Sequence, residues 1–165
     1  MSEIYIKISQ INEWANELVS SFIKQLSFEF MRKKTPYRLF GDIIVHLFDP
    51  VNIWINRLMG KSEKVSIRSL KDFNNLDELL KTWKESDSRF VSFTENLIEK
   101  KESYKIVLYR NSKGQEFRNS IEKIYLHISN HGYQHRGQKA LLLRIHEKEP
   151  ILQLDTIAYF RSLKN

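Results

Sequence analysis

Residues 127–144 read HISNHGYQHRGQKALLLR, with histidines at 127, 131 and 135 and then Arg136, Gly137 and Gln138. Successive residues of an α-helix turn by about 100°, so positions four apart lie roughly 40° and 6 Å from each other. His127 and His131 are therefore neighbours, as are His131 and His135. His127 and His135 are about 12 Å apart, too far to share one mononuclear metal. One adjacent pair can hold a metal, and His131 belongs to both pairs. The competing reading is a polar stripe on an ordinary helix. His146 lies about 16 Å beyond His135 along the axis and suits a C-terminal turn, close to the helix dipole.

Two imidazoles need a third ligand from a facing helix, because metal sites inside helical bundles are built from opposed helices. The remaining histidine is His46, in DIIVHLFDPVNIW. Ile43, Ile44, Val45, Leu47 and Phe48 around it predict a largely buried stretch. A buried imidazole needs a partner for each ring nitrogen, and a metal plus an outer acceptor would supply both. Pro50 has no N–H to offer the His46 carbonyl, so the helix is expected to loosen or kink there, for the site or for packing alone.

Working outward, Trp14, Leu18, Phe22, Leu26 and Phe30 recur with helical spacing from Ile11, and Arg32-Lys33-Lys34 and Pro36 close that segment. A second helix is expected from Tyr37 to Leu58, with Gly60 as its stop. Asn75 can cap a third, whose apolar stripe is Leu76, Leu79, Leu80, Trp83, Phe90 and Leu97. YKIVLYR, NSKG and QEFRNS then read as strand, turn and strand, a small β-hairpin. The fourth long helix covers about Ser120 to His146, Pro150 ends regular helix, and LDTIAYFRSL packs as a short terminal element. Four long amphipathic helices predict an all-α, four-helix bundle, with the hairpin before the last long helix. The connection from Lys61 to Asn74 and the one holding the hairpin are long enough for crossovers. No repeat or low-complexity linker divides residues 1–165, so a single domain is expected.

Of the 165 residues, 41% are hydrophobic and 12% aromatic, which suits a globular core. There is no cysteine, which removes disulfides, thiolate ligands and a cysteine nucleophile, and fits a reducing compartment. The opening MSEIYIKISQINEWANEL puts acids and amides where a signal peptide needs an apolar core, and charges interrupt every apolar run before a membrane span is reached. The expectation is a soluble, cytoplasmic protein. The net charge of +7 is scattered, with clusters at Arg32-Lys33-Lys34 and Glu99-Lys100-Lys101, where cations complement helix C-termini. With no nucleic-acid-binding module to organise that charge, nucleic acid is not the expected partner.

The run HISNHGYQHRGQKALLLR resembles the signature of DinB-like (DNA-damage-inducible) proteins, in which N-H-x-x-x-H-R-G-Q follows an earlier lone histidine. VHLFDPVNIWINRLMG, the hairpin Y-R-N-S-K-G-Q and the ending LDTIAYFRSL also resemble that family. The resemblance implies a four-helix bundle, commonly dimeric, holding a divalent metal on three histidines. Carried over by position, the ligands are His46, His131 and His135, which chooses between the two pairs that spacing left open. His127 falls outside the three, on the helix surface or beside a ligand. Arg136 is expected to pair with a carboxylate between helices or across a dimer, and Gly137 to let another helix approach. Asp49, one turn from His46, can orient an imidazole or act as a base; the alternative is an ordinary exposed carboxylate.

Three neutral imidazoles leave a divalent metal with its full charge and an open position, able to acidify water or a thiol. Such ligation suits zinc, nickel or iron. Activities in the wider family imply a thiol-dependent S-transferase using a low-molecular-weight thiol as cosubstrate and a small-molecule substrate. The alternatives are a metal-dependent hydrolase or a non-catalytic, metal-binding stress-response protein.

Overall fold

The structure, a computed structural model, describes residues 2–61, 67–146 and 154–163 and is mainly helical. In chain order the elements are α1 (Ser2–Ile23), α2 (Phe28–Met31), α3 (Phe40–Leu58), a 3-10 turn (Leu70–Asp72), α4 (Leu76–Glu99), β1 (Ile106–Arg110), β2 (Glu116–Ser120), α5 (Ile121–Ile145) and α6 (Thr156–Ser162). α4 packs against α1 and α3, and α5 packs against α3 and α1. No helix among the described residues is long and apolar enough to cross a membrane. The break expected at Pro150 lies outside the described residues.

The first helix differs from its expected bounds. It begins at Ser2 and ends at Ile23, and Ser27 starts a separate turn by accepting from the Phe30 N–H at 3.1 Å. A serine hydroxyl that caps a new helix competes with continuation of the old one. Leu26 and Phe30 still reach the core from the far side of this break. The second long helix starts at Phe40, not Tyr37, because Thr35 closes the preceding turn: its Oγ donates to the Arg38 carbonyl at 2.7 Å. A bridge between Lys34 and Leu39 completes that turn.

Other local expectations hold. The Asn75 side chain accepts from Glu78 N–H at 2.8 Å and caps α4. Gly60, at φ +74°, ends α3 with bonds from its own N–H to Arg57 and from Lys61 N–H to Asn56. β1 and β2 pair antiparallel from Ile106↔Ser120 to Arg110↔Glu116. Ser120 then caps α5 directly, so the hairpin sets where the histidine helix begins. At Pro50, by contrast, where a loosening or kink is expected, α3 continues as helix to Leu58.

The buried line of α1 is Tyr5, Ser9, Asn12, Ala15, Asn16, Val19 and Ile23, whereas Trp14, Leu18 and Phe22 are only half-buried. Two asparagines can be buried because they are satisfied. Arg136 Nη1 donates to Asn12 Oδ1 and Asn16 Oδ1, both at 2.9 Å, and Asn16 Nδ2 donates to Asp87 Oδ1 at 2.8 Å. The amides therefore link a guanidinium on α5 to a carboxylate on α4 through α1. Arg136 folds back over Gly132, where a Cβ would meet Arg136 Nη1 and Asn12 Oδ1 at 2.9 Å. The close approach expected at Gly137 is made at Gly132 instead; nothing described comes within 4 Å of a Cβ at Gly137.

Lys139, one turn further along α5, is 0% exposed, and its amine has no hydrogen-bond partner among the described residues. Burial holds its pKa well below the usual lysine value, with the Arg136 charge acting in the same direction. Between that depressed pKa and 10.5 the unfolded chain binds the proton that the folded chain lacks, so this group's contribution to stability rises with pH. Lys139→Met should therefore stabilise the fold by about 1–3 kcal/mol near neutrality. The gain should shrink as pH approaches 10.5. Urea unfolding of both proteins at pH 7 and pH 10 checks this, and a destabilised methionine variant would contradict it.

Candidate metal centre

The seam between α3 and α5 carries the three histidines. Ile44, Val45, Leu47 and Phe48 are buried in the core and fix the rotation of α3. His46 is thereby left half-buried on the α5 side, more open than its apolar neighbours suggest. From α5, His131 and His135 point back at it. The ring centroids of His46 lie 5.1 Å from His131 and 4.8 Å from His135, and those of His131 and His135 are 4.4 Å apart.

One nitrogen from each ring lies within 4.8 Å of the other two. A point shared by three such atoms is at most roughly 2.8 Å from each, against about 2.0–2.1 Å for a zinc–imidazole bond. Small side-chain rotations close that gap, so the donor set fits a divalent cation. Burial, reinforced by the neighbouring imidazole of His135, lowers the His46 pKa to about 4. Burial and then the His135 and His46 rings lower that of His131 to about 3. His135 is also lowered, chiefly by burial, while its bond to Gln138 opposes the shift. At neutral pH all three rings are uncharged and present free lone pairs.

Gln138 has a role that sequence left open. Its Oε1 lies 2.7 Å from His135 Nδ1. A carbonyl oxygen can only accept, so Nδ1 carries the proton and Nε2 is the nitrogen available for a metal. The spacing of three residues within H-R-G-Q is the signal that could have shown this, since i and i+3 are helix neighbours.

His127 is exposed and lies outside the cluster, its ring 5.9 Å from His131 and 5.4 Å from Trp54. The hairpin supports this side, where Tyr109 packs edge-on against Trp54 at 4.9 Å. His146 is the C-cap of α5 and packs on Phe30 at 5.8 Å.

Asp49 is not an exposed carboxylate but is 4% exposed. Its Oδ1 accepts from Arg68 Nε at 2.8 Å and pairs with Nη2 at 2.7 Å, while Oδ2 accepts from the Arg68 backbone N–H at 2.9 Å. Both oxygens are thus committed to holding residue 68 against α3. Among the described residues Arg136 meets no carboxylate directly; asparagine amides stand between it and Asp87. Helical spacing alone could not reveal that arrangement, because the partners lie on three different helices.

The DinB family pattern matches residues 1–151, a span that includes all three histidines. Protein DinB from Bacillus subtilis (strain 168) is 22% identical over 150 residues, covering 87% of this chain and 87% of that protein. With a match over most of its length and three histidines gathered on the α3–α5 seam, the chain belongs to the DinB family.

Proposed function

We propose that His46, His131 and His135 hold a divalent metal, zinc, nickel or iron, and that the protein is a metal-dependent enzyme, a thiol S-transferase. The observation that carries this reading is the cavity beside the triad. His46 and His135 line a space of about 320 Å³ walled by Tyr37, Ile43, Leu141 and Leu142. A purely structural metal site is closed by its ligands, whereas a catalytic one keeps a position open to substrate. The metal would supply Lewis acidity that lowers the pKa of a thiol or a water molecule.

The chain's own residues do the rest. Gln138 keeps the proton on His135 Nδ1, and Ile43, Leu141 and Leu142 give a substrate an apolar surface beside the histidines. The thiol gives up its proton to solvent water, its sulfur forms a bond to an electrophilic carbon, and the bond from that carbon to the leaving group breaks, the leaving group departing with the electron pair. In this reading Asp49 clamps Arg68, and neither orients an imidazole nor serves as the base. The four long helices form a four-helix bundle with crossover connections, as a single domain that pairs as a homodimer in the cytoplasm.

Metal-loaded protein should accelerate conjugation of small thiols to an electrophile such as a chlorodinitrobenzene, relative to the same protein stripped with chelator. A panel of thiols giving no rate above the stripped protein would remove the transferase reading. Metal-dependent ester or amide hydrolysis in the same preparation would put the hydrolase in its place. A metal that raises the melting temperature without any turnover would leave the non-catalytic, stress-response role.

A further inference from the structure

Two cavities meet at His46. The larger is the one of about 320 Å³ described above; the smaller, of about 220 Å³, is lined by Asp42, Arg68 and Ser69 among others. Arg38 lines both. The other charged groups around the smaller cavity are already engaged. Arg68 is held by Asp49, and Asp42 Oδ1 accepts from the Leu70 N–H at 2.7 Å. Arg38 is exposed at the rim of both cavities, and its guanidinium has no carboxylate or hydrogen-bond partner among the described residues. Its backbone is nonetheless fixed, since the Arg38 carbonyl accepts from both the N–H and the Oγ of Thr35, at 2.9 and 2.7 Å.

Gln138 adds a second donor on the same wall. Its oxygen is taken by His135, and the side chain lines the larger cavity with its amide N–H groups unused among the described residues. A guanidinium presents a planar fork of donors that matches a carboxylate or a phosphate group. Beside it, Ile43, Leu141 and Leu142 offer an apolar surface a few carbons long.

We infer that Arg38 is the anion anchor of this site, so that its ligand is a small molecule with an apolar segment ending in a carboxylate or phosphate group. The assignment rests on the histidine-centred site proposed above, and it adds the substrate class. The anionic end sits on Arg38 and the Gln138 amide, which directs the rest of the molecule along the apolar wall toward the three imidazoles. Arg38 therefore selects what reaches the centre while taking no part in holding a metal.

Calorimetric titration of zinc-loaded wild type and Arg38→Gln with butyrate, butyl phosphate and butyramide tests the assignment. In the wild type, at least one anion should bind about tenfold more tightly than the neutral amide. The anion that does so separates carboxylate from phosphate. The preference should vanish in Arg38→Gln, whose zinc stoichiometry and melting temperature stay unchanged. Equal affinities in the wild type, or a preference that survives the substitution, would overturn the assignment. 3-Mercaptopropionate separates the two proposals. An anion preference with no further gain from the sulfur keeps the anchor and removes the thiol chemistry. A gain from the sulfur without an anion preference does the reverse.

Discussion

Replacing His131 by alanine should abolish stoichiometric binding of a divalent metal, whereas His127→Ala should leave metal content nearly unchanged. His131 is the middle member of the stripe and the one whose ring stands within 5.1 Å of His46 and 4.4 Å of His135. Without it, the cluster keeps only His46 on α3 and His135 on α5, two donors where the site needs three. His127 cannot substitute, because it lies two helical turns from His135, about 12 Å away. Loss of a mere outer partner costs roughly 10- to 100-fold in metal affinity, so loss of a donor should exceed that. Elemental analysis after dialysis against a weak chelator provides the measurement. Full occupancy of His131→Ala would end the three-histidine assignment, and metal loss in His127→Ala would move the site to the other pair.

Arg136→Leu should destabilise the fold by about 3 kcal/mol. The guanidinium is 2% exposed, and burial lowers its pKa to about 10, while Tyr133 and Asp87 act against that shift. Removing it would strip the buried oxygens of Asn12 and Asn16 of their donor and take from the Asp87 carboxyl the Arg136 charge that lowers its pKa. Asp87 already has a pKa well above the usual carboxylate range, because of burial, with the Asn16 bond and the Arg136 charge holding it down.

Between 3.8 and that raised pKa the folded state binds the extra proton, so this group's contribution falls as pH rises. Losing Arg136 raises the carboxyl further and widens the window. The deficit of Arg136→Leu should therefore be greater at pH 8 than at pH 5. Guanidinium unfolding at both values measures it, and a deficit independent of pH would show that the loss comes from packing, not from Asp87.

Much of the helical layout is legible in local patterns. Asn75 starts α4, Gly60 ends α3 and NSKG turns the hairpin, because each of these is a short-range demand of backbone geometry. The end of the first helix is less legible because its apolar spacing continues past Ile23, while the Ser27 cap that interrupts it depends on one hydroxyl. The inward face of that helix is less legible still. An amphipathic pattern assigns asparagine to solvent, and only a partner from another helix makes its burial tolerable.

The same boundary divides the candidate site. Spacing alone established that His131 must belong to any metal pair, since rise per residue is a property of one helix. It leaves the choice between His127 and His135 open, and the H-R-G-Q resemblance implies His135. Packing of α3 on α5 brings His46 to that pair and leaves His127 against Trp54. Arg136 finds Asn12 across 124 residues of sequence, and Gly132, not Gly137, makes room for it. Helix periods, caps and turns follow from the chain itself, because they depend on residues a few positions apart. Which polar groups meet in the interior was settled only by tertiary structure, because burial makes each of them need a partner that local sequence does not contain.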